Sequence, residues 1–272
     1  MDKKIIAIIA SVLVIGFVVI FRSQIGRLVT FQQGGEQQNF SESPLPSLST
    51  APSESEVPGI SRTPSPVSSQ MPIYSGRPQD ELRPDPEEVK LYSESQKQDI
   101  YRALQNFGKT VKENPDLFNL WIQLGLLKKT IGDYEGARDA WEYASIIRPL
   151  NDISFANLGQ LYWRYLHLYA QAETNFKTAI KNNPHDSGTY GSLSDLYFYS
   201  MKDKAALADD VLLQGLAANP ESINLPKALA RLYERRGEYA SAIEWWQKVL
   251  AQDPKDTSVA AVIDALKKKL GQ

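Results

Sequence analysis

Hydrophobic residues follow two different patterns along the chain. Residues 5–21 (IIAIIASVLVIGFVVIF) form a run of 17 residues without a charge, whereas from Glu87 onward apolar positions recur every three or four residues. The first pattern predicts one continuous apolar helix. The second predicts a series of amphipathic helices that continues almost to the C-terminus.

The apolar run has the length of a membrane anchor. As a helix it would extend roughly 25 Å, at about 1.5 Å per residue, and Lys3, Lys4 and Arg22 at its ends can reach the headgroups of a core of about 30 Å. A cleaved signal peptide is the alternative, but no small-x-small cleavage site follows Phe21. We therefore expect residues 1–30 to be an uncleaved single-pass transmembrane anchor.

The basic residues beside this run set its expected orientation. Lys3 and Lys4 precede it, and Arg22 and Arg27 follow it, so the two sides carry nearly the same number of positive side chains. The free amino group adds charge to the short leading side. We expect a cytoplasmic N-terminus, with the rest of the chain outside the cytoplasm.

Residues 31–86 have no hydrophobic period and a biased composition. Residues 41–70 contain ten Ser and six Pro, more than half of that segment. Such a composition cannot bury enough apolar surface to offset the entropy of ordering it. The sequence therefore predicts a disordered Ser/Pro/Gln-rich linker over 31–86.

Prolines mark a regular period in the helical part. They are separated by 34, 35, 36 and 34 residues, at Pro115, Pro149, Pro184, Pro220 and Pro254. Twelve residues before each lies an alanine, and eight before each lies a large apolar residue. A period of this size predicts stacked helical hairpins.

Large and small residues alternate within one period in a way that suits a helix crossing. In NLWIQLGLLKKTIGDYEGARDAWEYASIIRP, Gly125 and Ala137 stand among large residues that include Trp121 and Trp141. Two antiparallel helices approach closely only where one offers a small side chain. We expect Gly125 and Ala137 to lie at the crossing, with the two tryptophans beside it.

These residues resemble the tetratricopeptide repeat (TPR) family, whose 34-residue helix-turn-helix carries W-x₂-L-G-x₂-Y, then A-x₃-F, then P. The resemblance covers residues 87–254, with a degenerate first unit and four clearer ones. The second unit departs from it at Lys128, which stands where the family has Tyr. The resemblance implies an all-α, TPR-type solenoid of helical hairpins, and the amphipathic residues 255–272 are expected to cap the last hairpin.

The resemblance also implies a binding groove lined by the first helix of each hairpin. Counting from the Trp-equivalent residue of a unit, the positions two before and one, two, five, eight and nine after it should face this groove, because each step turns the side chain by about 100°. This groove stripe contains 24 positions in four units. The partner-binding candidates among them are Asn119, Gln123, Asn157, Gln160, Trp163, Arg164, Asp195, Phe198, Tyr199, Lys227, Arg231 and Arg235.

The candidate residues offer three kinds of contact. The amides of Gln123, Asn157 and Gln160 suit an extended peptide backbone, the aromatic rings offer apolar contact, and the basic side chains of the last unit suit a carboxylate. The family's carboxylate clamp wants Lys and Asn where this chain has Ala156 and Gln160. For Trp163, contact with a ligand and packing inside the protein are equally weighted alternatives.

The composition of the chain argues against a catalytic or metal-binding function. There is no Cys, there are only two His, and the formal net charge is −2. Thiolate metal sites and Cys nucleophiles are excluded, and no motif of a metalloprotease, nucleotide-binding loop or nucleophile elbow occurs. We therefore expect a non-enzyme without cofactor or metal, and with no field that would attract nucleic acid.

Together these features predict a membrane-anchored interaction scaffold or adaptor. Residues 5–21 would contact the lipid bilayer, and the repeats would hold a peptide or protein partner without any need for oligomerisation. The alternative is a structural subunit of a larger membrane or envelope assembly, of secretion or pilus type, that packs permanently through its repeats.

Overall fold

The computed structural model describes residues 71–271, which are helical apart from connecting turns and one extended segment. They lie within a single compact unit of the chain. The expected anchor (1–30) and residues 31–70 of the expected linker lie outside the described residues. Between residues 71 and 271, no helix is both long enough and apolar enough to cross a bilayer.

The described region contains eleven α-helices and one 3-10 turn, numbered here from the first described helix. They are α1 Pro86–Val89, α2 Glu94–Glu113, α3 Phe118–Thr130, α4 Tyr134–Ile147, α5 Ile153–Arg164, α6 Tyr169–Asn182, α7 Ser187–Ser200, the 3-10 turn Lys202–Leu207, α8 Ala208–Ala218, α9 Asn224–Arg236, α10 Tyr239–Gln252 and α11 Thr257–Lys269.

Helices α3 to α10 pair consecutively into four hairpins, each of which packs against the next. The crossing inside a hairpin depends on glycine. A side chain at Gly125 would overlap the indole of Trp141, and one at Gly159 would overlap the ring of Phe176. Trp141 also donates from Nε1 to the Ile122 carbonyl at 3.1 Å, so the large residue is held beside the small one as the sequence predicts.

Adjacent hairpins are joined by a repeated tyrosine contact. Tyr162 donates its hydroxyl to Glu142 at 2.6 Å, and Tyr197 donates to Glu173 at 2.8 Å. In both pairs the tyrosine lies on the first helix of one hairpin, and the carboxylate lies on the second helix of the hairpin before it. The family tyrosine therefore joins neighbours in the stack.

The contact at Glu173 between adjacent hairpins is stabilised by several hydrogen bonds to one carboxylate. Burial favours a raised pKa, but hydrogen bonds from Lys177, Lys204 and Tyr197 outweigh it and lower the pKa of Glu173 to about 2. The carboxylate is therefore charged at neutral pH and ties α6 to α7 and to the 3-10 turn.

Lys128 takes the tyrosine position in the first hairpin, and its surroundings differ from those of the tyrosines. Its side chain is 1% exposed, and Nζ lies 3.0 Å from Asp133 Oδ2. Nζ also donates to the Glu81 carbonyl at 2.6 Å. The lysine therefore contacts an extended segment that precedes the helices, instead of a helix of an earlier hairpin.

This extended segment, residues 71–85, is called the strap below. Tyr143 donates to the Pro72 carbonyl at 2.7 Å, the Arg77 guanidinium lies 3.0 Å from Asp139, and the Asp85 amide donates to the Ile131 carbonyl at 2.7 Å. The strap thus runs antiparallel to α4, from the C-terminal half of that helix towards its start.

The strap corrects the expected boundary of the linker. Residues 71–86 were predicted to be disordered because they have no period, but order in this segment comes from individual anchors. Tyr74 packs on Trp121 and Tyr143, with ring centroids 4.8 and 5.4 Å away, and Gln79 is buried. Such tertiary contacts can hold a segment that has no regular structure of its own.

The face of α4 beneath the strap differs from the corresponding faces of the other second helices. Tyr143 and Asp139 are 3% and 9% exposed. The residues at the same two positions of α6, α8 and α10 are polar, and most are exposed: Thr174 and Thr178, Asp210 and Gln214, and Glu244 and Lys248. Only α4 among these four helices carries a tyrosine at this place, and only α4 is covered by the strap.

The degenerate first unit contains one long helix and no hairpin. Helix α2 starts with a capping box, in which Ser93 and Gln96 exchange hydrogen bonds with each other's backbone. Between residue 71 and this helix, the described chain forms the single helical turn α1. The strap lies so close to α2 that a side chain at Gly108 would overlap the backbone of Asp80.

The extra residues of the two longer units lie between paired helices. In the α5–α6 hairpin the connection includes His167, which has a φ of 55°, a left-handed conformation that is unusual for a non-glycine residue. In the α7–α8 hairpin the connection contains the 3-10 turn. Both of these hairpins still pack against the neighbouring hairpins.

Helix α11, the last one described, packs against α10. Val259, Ile263 and Leu266 are buried in a cluster with Trp246, while three lysines end the helix. Asp256 caps its N-terminus by accepting from the amides of Ser258 and Val259.

Candidate functional site

The first helices of neighbouring hairpins lie side by side. Helix α7 contacts both α5 and α9 directly, so the stripe positions of these helices form one surface, called the first-helix surface below. Hydrogen bonds and ion pairs join residues from successive hairpins across it. The surface is therefore assembled only when the hairpins stack.

A chain of hydrogen bonds connects α5 to α7. Arg164 donates from Nε to Gln160 Oε1 at 2.8 Å, Gln160 donates from Nε2 to Ser192 Oγ at 2.6 Å, and Ser192 donates to the Gly188 carbonyl at 3.1 Å. The Gln160 amide, predicted to face a peptide backbone, is thus used to hold two hairpins together.

Trp163 is a packing residue. It is 7% exposed, its Nε1 donates to Ser200 Oγ at 2.8 Å, and the Arg164 guanidinium lies 4.1 Å from its ring centroid. Of the two alternatives raised by the sequence, packing describes this side chain. The Trp163 ring thereby supports the Arg164 guanidinium.

Asp195, Tyr199 and Arg235 form a second group on the same surface. Arg235 Nη1 lies 3.7 Å from Asp195 Oδ1, and its guanidinium lies 5.1 Å from the ring centroid of Tyr199. Burial raises the pKa of Asp195, although Arg235 and Arg164 act in the opposite direction. Tyr199 remains 48% exposed and packs edge-on against Phe198.

These two groups meet at an open cavity of about 460 Å³. Its walls are Trp163, Arg164, His167, Tyr169, Asp195, Tyr199 and Ser200. The cavity has aromatic walls and charges of both signs, so it suits a side chain of a peptide or protein better than a purely apolar molecule. Across residues 71–271, no three His, Asp or Glu side chains come together to hold a metal ion.

The other predicted residues are spread more widely. Asn119 is exposed, and Gln123 and Asn157 are half-buried on the first two hairpins. Arg231 is exposed one turn before Arg235. Lys227 lies farther along, at a separate cavity of about 770 Å³ that also includes His185 and Ser187.

Three residues of the cavity were not among the candidates. Ser200 lies one position beyond the stripe, His167 belongs to the α5–α6 connection, and Tyr169 is the first residue of α6. The extra residue in the proline spacing of this unit was the available signal, because an insertion between paired helices changes what lies beside the end of the first helix.

Comparisons with known proteins agree with this architecture. Residues 227–256 match the family model of the tetratricopeptide repeat. Tetratricopeptide repeat protein 8 of Mus musculus is 32% identical over 110 residues, which cover 39% of this chain and 19% of that protein. The general transcriptional corepressor trfA of Dictyostelium discoideum is 27% identical over 139 residues, covering 50% of this chain and 10% of that protein. The chain therefore spans no more than a fifth of either relative's length.

Two solved structures show the same fold. The crystal structure of a tetratricopeptide repeat protein from Parabacteroides merdae aligns with a TM-score of 0.51 at 19% identity, covering 68% of this chain and 73% of that one. The crystal structure of MamA aligns with a TM-score of 0.50 at 18% identity, covering 65% of this chain and 99% of that one. The described chain is thus an all-α, TPR-like helical solenoid, and its last hairpin contains the unit that matches the tetratricopeptide repeat family model.

Proposed function

We propose that this chain is a protein-interaction scaffold that binds a peptide or protein partner on its first-helix surface. One observation carries the proposal: two successive hairpins build a single cavity with the half-exposed ring of Tyr199 and with Arg164 in its wall, and Arg235 of the next hairpin lies over that ring. A surface assembled from several stacked hairpins can bind an extended partner without a conformational change.

The scaffold is further proposed to be tethered to a membrane. The support is the uncharged run at residues 5–21 and the basic residues on both sides of it. In this proposal the N-terminus lies in the cytoplasm and the repeats lie outside it. Protease added to sealed membrane vesicles of known orientation tests the sidedness, because the repeats are digested only where they face the protease.

Partner capture from a membrane extract tests the scaffold role. The bait is the full chain in detergent, compared with a Tyr199→Ala, Arg235→Glu double variant. We chose these two because they are exposed on the surface, whereas changing the buried Trp163 would also disturb the fold. A Leu213→Ala, Lys181→Glu variant, altered at exposed positions of second helices, is the matched control.

The expected result is a partner held by the parent and by the control, and lost by the surface variant. Equal capture by all three proteins would contradict binding at the first-helix surface. A stable large complex that survives extraction and ignores the surface variant would instead favour the structural subunit of a membrane assembly.

A further inference from the structure

We infer that the first-helix surface selects an acidic peptide segment, which is a narrower statement that rests on the proposed scaffold function. The charges of the groove stripe carry the inference. Its 24 positions contain five basic residues and two acidic ones, whereas the whole chain has a net charge of −2. The basic residues are Lys129, Arg164, Lys227, Arg231 and Arg235, and the acidic ones are Asp195 and Glu234.

Both acidic side chains already have partners inside the protein. Glu234 accepts a hydrogen bond from the Trp246 indole, and Asp195 is half-buried beside Arg235. The two carboxylates offset at most two of the five positive charges of the stripe, so an excess of three positive charges remains on the surface.

Most of the basic side chains, in contrast, have no carboxylate of their own. Among residues 71–271, only Arg235 of the five forms a salt bridge, and that contact is a long one at 3.7 Å. Arg164 donates to the neutral Gln160, and Arg231 is exposed. The surface therefore has an excess of unneutralised positive charge, which is complementary to an acidic segment.

The two arginines beside the cavity are also held ready for a carboxylate. Each guanidinium lies over an aromatic ring, Arg164 over Trp163 at 4.1 Å and Arg235 over Tyr199 at 5.1 Å. Stacking restricts the side chain, while a planar guanidinium still has edge N–H groups to donate. Less side-chain entropy is then lost when a carboxylate binds.

The cavity adds a second requirement to the ligand. With Tyr199 half-exposed at its wall, it offers space for one apolar or aromatic side chain next to the arginines. Gln123 and Asn157, whose amides form no hydrogen bond within residues 71–271, remain available for a peptide backbone. The ligand is thus an extended segment with carboxylates and a neighbouring apolar residue.

Nucleic acid fits this surface less well than a peptide. A nucleic-acid strand carries a phosphate at every nucleotide, so it would bring negative charge close to Asp195 and Glu234. A peptide can place its carboxylates only where the arginines lie.

Selection from short random peptides displayed on phage tests the inference with the full chain in detergent. The parent is compared with an Arg231→Gln, Arg235→Gln variant, and with a control, Lys181→Gln, Lys268→Gln, that removes the same charge from exposed positions outside the surface. The expected result is enrichment of acidic peptides whose affinity falls about tenfold in the surface variant and less than about twofold in the control.

Other outcomes would overturn the inference. Enriched peptides that are neutral or basic would reject the acidic ligand; if Tyr199→Ala still weakened them, the scaffold function would stand. Failure to enrich any peptide sensitive to the surface variants would reject both. Displacement of the acidic peptides by a single-stranded oligonucleotide at an equal concentration would indicate a general polyanion surface.

Discussion

The first and the last hairpin of the described array are covered by different means. At the C-terminal end, α11 covers the last hairpin with a regular apolar face that includes Ile263 and Leu266. At the N-terminal end, the strap covers α4 and contacts α3 without forming a helix, through Tyr74, Arg77 and the carbonyl of Glu81. A repeat stack must bury the apolar face of each terminal hairpin. Here the regular helix α11 covers one such face, and the irregular strap covers the other.

The difference teaches that the two ends depend on different forces. The helical cap depends on apolar area, which tolerates small changes of position. The strap depends on polar groups buried beneath it, each of which needs its own partner. Changes at the strap end should therefore be more costly when they leave one polar partner alone.

Removal of the Lys128 ammonium should have the largest effect. The Lys128→Met substitution leaves Asp133 as a buried charge without its cation, and we expect the free energy of unfolding to fall by about 3–5 kcal/mol. Urea denaturation measures the change. The double variant Lys128→Met, Asp133→Asn should recover part of it, and a double variant as unstable as the single one would show that the Glu81 contact dominates.

Truncation of the helical cap should have the next largest effect. Leu266 is 1% exposed, and Leu266→Ala should lower the free energy of unfolding by about 3 kcal/mol because it leaves a cavity against α10. Leu270→Ala, at a residue 39% exposed on the same segment, is the control and should cost less than about 1 kcal/mol. Similar losses from both would mean that α11 does not seal the core.

Alkaline pH should have the smallest effect, and should act on the strap end. Burial raises the pKa of Tyr74 to about 12, against a lowering influence of the hydrogen bond from Gln79. The contribution of Tyr74 to stability is full below pH 10, the ordinary value. It is lost between pH 10 and 12, where the unfolded chain releases the proton and the folded chain retains it.

The Tyr74→Phe variant isolates this contribution. Its free energy of unfolding should fall less steeply than that of the parent between pH 10 and 12, and urea denaturation across that range measures the difference. Parallel curves for the two proteins would show that the Tyr74 hydroxyl is exposed to solvent, and that the strap is more loosely held than its contacts indicate.

The stacked hairpins were predictable because their determinants are local. Gly125 and Trp141 lie 16 residues apart in one unit, and the same pair of sizes recurs in the next unit as Gly159 and Phe176. The family pattern records this geometry directly, so spacing alone places the crossing.

The strap was not predictable from period or composition because its contacts are distant in sequence. Arg77 and Asp139 are 62 residues apart, and Tyr143 and Pro72 are 71 apart. Two local signals were nevertheless present: a lysine at the position of the family tyrosine, and a tyrosine at a position of α4 where the other second helices are polar.

The candidate site was predictable only in part. Helical rotation placed Arg164, Asp195, Tyr199 and Arg235 on one surface, as the cavity shows for the first three. It did not predict that Trp163 would be buried, because that depends on Ser200 of the next hairpin and on the position of Arg164. Rotation gives a direction, whereas burial depends on what lies in that direction.

The strap also determines how the array would respond to a mechanical load. A pull exerted through the residues before 71 reaches the helices by way of the strap, so tension meets Pro72 and Tyr74 first, then Arg77, and then the Glu81 and Asp85 contacts. These contacts would break one after another instead of together, and each step would lengthen the chain before the α3–α4 hairpin is disturbed. The strap would thus detach and extend first, and the stacked repeats would remain folded while it did so.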